Sequence, residues 1–130
     1  MQDFRKIQAW QKSHDLVLAV YRVTERFPKE ETYGLTSQLR RAAYSIPMNV
    51  AEGCARASQT EFARFLDIAV GSASELDYQL LLVRDLGLVG QKDYEALSET
   101  TDHVRKMLVS LCRSVRTSAK TDHLARNTKR

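Results

Sequence analysis

A chain of 130 residues is the length of one domain, and 43% apolar with 28% charged residues is the balance of a protein that buries a core. Five glycines and two prolines are too few for a fold of many short strands and turns. The longest apolar run, Leu16 to Tyr21, falls far short of the roughly 18 residues of a membrane span, and no apolar leader follows Met1. The expectation is a cytoplasmic protein without membrane contact. Cys54 and Cys112 lie far apart without framework spacing and read as reduced thiols. The net charge of +4 is uneven: residues 119–130 hold Lys120, Arg126, Lys129 and Arg130 against Asp122 alone, which leaves the preceding body nearly neutral. The division expected is a bundle over residues 1–118 and a basic, disordered tail over 119–130.

Apolar residues recur at spacings of three and four, the helical period, and not at two. The first stripe runs through Ile7, Trp10, His14, Val17, Tyr21 and Thr24 and stops at Phe27-Pro28, where the ring cannot continue a helix. After Gly34 a second stripe carries Leu35, Leu39, Ala42, Ile46 and Val50. Pro47 removes the amide that would bond the Ala43 carbonyl, so a kink is expected there, and Gly53 reads as a left-handed terminator. The third helix opens on a capping box, Ser58-Gln59-Thr60-Glu61, and its stripe continues from Phe62 to Leu86, closed by Gly87. Gly71, in a stretch of small residues midway along it, suggests close approach of a neighbouring backbone. The fourth stripe starts near Gln91 and fades at about Arg116. Short connections between such helices predict an all-α, antiparallel up-down-up-down four-helix bundle, with helix two kinked at Pro47. The runs Leu16–Tyr21 and Leu80–Val83 are apolar around the whole helix, more than one bundle encloses, and imply an oligomer.

Catalytic constellations are sparse. A di-metal site needs Glu-x-x-His pairs, and none of His14, His103 and His123 has a glutamate three residues before it. His103 with Asp102 is too small a set for a zinc site, so neither metal nor cofactor is expected. Ser13-His14-Asp15 points its side chains about 100° apart along a helix and reads as a solvated face with one imidazole on the buried side. Arg56 could lower the pKa of Cys54, though a buried inert thiol is the commoner case. Residues 53–56 lack a P-loop ending. No enzyme is expected.

Helix two is more informative. Gln38, Arg40, Arg41, Ser45, Asn49 and Glu52 interleave with its apolar stripe. Arg41, Ser45, Asn49 and Glu52 share one face, which Glu75 could reach. One reading is a half-buried network that satisfies the carbonyls freed by Pro47 and fixes helix register. The other is a groove for phosphate or base contacts, with Arg40, Arg41 and Arg56 as donors and Lys106, Arg113 and Arg116 added from helix four.

Several blocks together resemble a known family. They are Trp10-Gln11-Lys12, Phe27-Pro28, Tyr33-Gly34-Leu35, Gln38-Leu39-Arg40-Arg41-Ala42, Ser45-Ile46-Pro47, Asn49-Val50-Ala51-Glu52-Gly53, Phe65-Leu66 and Ala69-Val70-Gly71-Ser72. In this order, from about Phe4 to Leu111, the chain resembles the bacterial four-helix-bundle proteins of the 23S ribosomal RNA intervening-sequence type. The resemblance implies a homopentamer around a central channel. It extends to the accessory protein of diversity-generating retroelements, a basic pentamer that binds nucleic acid and a reverse transcriptase. It carries no catalytic residues. The expectation is a non-enzymatic oligomer that binds structured RNA or DNA through a basic surface, the alternative being a scaffold that binds only partner proteins.

Overall fold

The three- and four-residue spacings become four helices in a computed structural model that describes residues 2–128: α1 (Gln8–Thr24), α2 (Ser37–Cys54), α3 (Gln59–Asp85) and α4 (Gln91–Thr128). Among the described residues there is no strand. Asp3 caps a single 3-10 turn, Phe4–Lys6, by accepting a bond from the Arg5 amide at 3.0 Å, and this turn leads into α1. The connection from α1 to α2 is the longest. Beyond Pro28 it forms a 3-10 turn at Lys29–Glu31 and a wide turn at Thr32–Thr36, in which Gly34 leaves helical geometry.

Contacts between helix ends define the topology. Arg40 near the start of α2 reaches Tyr21 and Thr24 at the end of α1. Ser45 meets Ser72 at the middle of the α2–α3 pair. Cys112 and Arg116 on the second half of α4 meet Ala63 and Asp67 on the first half of α3. Arg26, just past α1, reaches Asp93 at the start of α4 at 3.0 Å. Successive helices therefore run antiparallel, and α4 closes against α1.

The interior is aliphatic. Leu16 and Val20 of α1, Leu39, Ile46 and Val50 of α2, Leu66, Leu76 and Leu80 of α3, and Val104 and Leu108 of α4 are essentially sealed from solvent. Burying each of these side chains stabilises the fold by roughly 1.5–3 kcal/mol. Two of the buried hydroxyls bond within their own helices: Thr24 donates to the Val20 carbonyl at 2.8 Å and Thr101 to that of Leu97 at 2.7 Å.

α2 is unbroken from Ser37 to Cys54, with Pro47 buried inside it. The glycines distribute their roles differently from the sequence expectation. Gly53 is not left-handed; it is the point of close approach, where an added Cβ would lie 2.8 Å from Phe62 Cδ1 and 3.0 Å from Phe65 Cβ. At Gly71, by contrast, a Cβ would meet nothing within 4 Å, so no neighbouring backbone explains it. Gly87 is the terminator. At φ 78° it carries the chain out of α3, with its amide bonded to Arg84 and that of Leu88 to Val83, both at 2.9 Å. At the other end of α3, Ser58 Oγ accepts from the Glu61 amide at 3.1 Å, as the capping signal requires.

The tail also departs from expectation. α4 does not fray near Arg116 but continues as helix to Thr128, although no residue after Val115 is fully buried. Lys129 and Arg130 lie outside the described residues. The two all-apolar runs divide: Leu16, Val17 and Val20 are buried while Leu18 stays 44% exposed, and Leu81 and Leu82 are half-buried beside the buried Leu80 and Val83.

Candidate nucleic-acid interface

The polar residues of α2 split into three groups. Ser45 and Asn49 form a seam with α3: Ser45 Oγ lies 2.8 Å from Ser72 Oγ, and Asn49 Nδ2 donates to the Ser45 carbonyl at 2.8 Å and to Ser45 Oγ at 3.1 Å. The carbonyl served is that of Ser45, not that of Ala43, so the network ties two helices and does not repair the bond lost at Pro47. Glu52 turns to Arg56 at 3.1 Å, and Arg56 also lies over the Phe65 ring, 4.7 Å from its centroid. Gln38 and Arg41 are exposed and have no side-chain partner among the described residues.

Glu75 does not join this seam. It accepts from Gln79 Nε2 at 3.4 Å, and the buried Gln79 Oε1 has no partner among the described residues. Ser72 and Gln79 were not anticipated from the sequence. The small residues around Ser72 were the available signal, since they let α2 come close enough for hydroxyl to meet hydroxyl.

The six expected donors do not form one surface. Arg40 is a clip between helices, with Nε 2.9 Å from Thr24 Oγ1 and its guanidinium 4.4 Å above the Tyr21 ring. Arg56 sits at the bundle end, where a cleft of about 560 Å³ is lined by Gly53, Ser58, Asp122 and Arg126 among others. Lys106 pairs with Asp102 at 3.0 Å, and Arg105 holds the same carboxylate at 2.6 Å. These two cations keep the Asp102 carboxyl below its ordinary range, Lys106 contributing most. Asp102, weighed as a zinc ligand, is thus committed to an ion-pair cluster.

Arg116 forks onto both oxygens of Asp67, with Nη1 3.2 Å from Oδ1 and 3.1 Å from Cys112 Sγ. The Arg116 bond lowers the Asp67 pKa, and burial followed by the nearby Asp67 raises that of Cys112. Arg116 therefore holds α4 against α3 over a protonated thiol. Cys54 is likewise pushed up, by burial first and Asp3 second, with no contribution from Arg56. Arg113 is exposed and unpaired among the described residues. Arg41 and Arg113 stand on α2 and α4, which occupy diagonal positions in the bundle and face different ways.

Two remaining expectations concern other residues. His14 is not on the buried side: it is exposed and stacks on Trp10 at 5.0 Å, while Ser13 is buried and donates to the Trp10 carbonyl. No helix is long and apolar enough to cross a membrane among the described residues.

The exposed surface is unevenly divided, with Leu124, 64% exposed, the exception on the basic half of α4. Leu18, Tyr21, Tyr44, Met48, Ile68 and Tyr78, most of the large exposed apolar side chains, stand on α1, α2 and α3. From His103 to Thr128, α4 carries six basic side chains against one acid, Asp122.

Comparison with known proteins gives a family and a fold. The family described as 23S rRNA-intervening sequence protein matches residues 5–110. A crystal structure of a protein of unknown function from the S23 ribosomal protein family of Bacteroides thetaiotaomicron superposes with a TM-score of 0.75 at 23% identity, covering 81% of this chain and 95% of that one. Among curated proteins, none matches the sequence.

Proposed function

We propose that this chain, which belongs to the 23S rRNA-intervening sequence protein family, is a non-enzymatic, self-associating bundle that binds structured RNA or DNA through phosphate contacts. The observation that carries the reading is the uneven division of its surface. Exposed tyrosine, methionine and aliphatic side chains lie on α1–α3, where a second copy can cover them, and the second half of α4 is basic. Five copies is the state that the family resemblance implies. Two free thiols suit a reducing cytosol.

Ion pairing narrows the donors named from sequence. Arg40 and Arg116 serve contacts between helices and Arg56 pairs with Glu52, so the α2 contribution falls to Arg41 and the α4 contribution to Arg113, joined by Lys106, whose pair with Asp102 lies within one helix and leaves its side chain 69% exposed.

Fluorescence anisotropy of labelled RNA and DNA hairpins, titrated with salt, tests the reading. The expected result is a dissociation constant in the micromolar range or tighter that weakens steeply as salt rises. Absence of binding at low salt refutes it and leaves a protein-only scaffold, for which the exposed aromatic face of α1–α3 would be the contact.

A further inference from the structure

The basic half of α4 has a finer organisation than its net charge. Lys106, Ser110, Arg113, Thr117, Lys120 and Leu124 follow spacings of four, three, four, three and four, which places them on one line along the helix. Every one of them is exposed. They stand opposite the buried line of Leu97, Thr101, Val104, Leu108, Cys112 and Val115. Three cations therefore recur every seventh residue, at steps of about 10.5 Å and over a run of about 21 Å.

No carboxylate interrupts this line. Asp122, the single acid of the segment, faces the cleft beside Gly53 and Ser58 instead. The sign changes abruptly one turn before the line begins: Glu95, Glu99 and Asp102 precede it, and the Lys106–Asp102 pair marks the boundary. A helix dipole favours cations only within its last turn, so it does not account for a run of about four turns. Arg113 and Lys120 also lie beyond the stretch that the family match covers.

We propose that this line is the track on which the phosphodiester backbone of a duplex lies, with Lys106, Arg113 and Lys120 as successive phosphate contacts. It contains no aromatic side chain to stack on bases, so the contact is with the backbone and tolerates any sequence. Ser110, between the first two cations, adds a hydroxyl donor. The acidic stretch before Lys106 repels the polyanion and directs it toward the C-terminal end of α4. The assignment rests on the nucleic-acid reading above and locates it on one helix face.

The experiment compares three full-length proteins: the natural sequence, the triple variant Lys106→Gln/Arg113→Gln/Lys120→Gln, and a control, Arg22→Gln/Lys29→Gln, that removes exposed charges at and beyond the C-terminal end of α1. Each is titrated into labelled RNA and DNA duplexes of one sequence across a salt series, with light scattering to report mass. The triple variant should weaken binding tenfold or more, roughly equally for different sequences, and reduce the salt slope by about 0.9 for each cation removed. The control should stay near the natural protein. If the natural protein binds and the triple variant matches it in affinity and slope, the track is wrong while the nucleic-acid reading stands. If the natural protein binds nothing at low salt, both fall. A triple variant whose mass changes while its binding does not would make the line a contact between copies and overturn the track.

Discussion

Alanine at two glycines should move stability in opposite directions, although both lie inside helices. Replacing glycine by alanine inside a helix normally gains up to about 1 kcal/mol, because the unfolded chain loses freedom. At Gly71 a Cβ meets nothing within 4 Å, so the full gain of about 0.5–1 kcal/mol is expected. At Gly53 the Cβ would lie 2.8 Å from Phe62 Cδ1 and 3.0 Å from Phe65 Cβ. Both phenylalanines are buried, and Phe65 Cβ moves only with its backbone, so α2 and the start of α3 must separate. Overpacking of this kind costs about 1–3 kcal/mol, which exceeds the helical gain. The expected net loss is about 1–2 kcal/mol, a fall in melting temperature of roughly 4–8 °C, against a rise of a few degrees for Gly71→Ala. Circular dichroism with thermal and urea unfolding reads both. A Gly53→Ala protein as stable as the parent would refute the close approach, and a destabilised Gly71→Ala would mean that something outside the protomer covers that face.

Two further outcomes concern the helix contacts. Asp67 has a folded pKa below its ordinary 3.8, so its pairing with Arg116 stabilises fully above that value and is lost as pH falls through the lower folded value. The pair is half exposed, so solvent screens it and its contribution is small; acid titration of the melting temperature should show a steeper loss below pH 4 in the parent than in Asp67→Asn, and parallel curves would refute the pairing. At the α2–α3 seam, a double-mutant cycle on Ser45→Ala and Ser72→Ala should give a coupling of about 0.5–1.5 kcal/mol, whereas additive losses would show that the two hydroxyls do not meet.

What could be read from sequence divides by range. The helix periods, the Ser58 cap and the Gly87 terminator were legible because each depends on residues within one or two turns. The Gly53 and Gly71 roles were not, because close packing depends on which residue of another helix arrives there; the reason for Gly53 is Phe62 and Phe65 in the next helix. The α4 extension was read as frayed because its apolar stripe stops at Val115; it continues as helix to Thr128 although about half of its residues, such as Thr117, Thr121 and Asn127, are weak helix formers, and no packing within the protomer accounts for it. The candidate site suffered most from partnering. Arg40, Arg56 and Arg116 look alike in sequence to Arg41 and Arg113, and only their distances to Thr24, Glu52 and Asp67 tell clips from open cations.

The order in which the helices pack also bears on how the chain reaches its fold. α2, α3 and α4 are joined by tight connections at residues 55–58 and 86–90, and each packs against its neighbour in sequence. Closing such loops costs little entropy, and a topology dominated by local contacts belongs to the fast-folding class. The one distant pairing is α1 with α4, bridged near the bundle end by Arg26 and Asp93. α1 is also the helix on the longest connection, residues 25–36. The three C-terminal helices can thus form a receptive groove before α1 arrives.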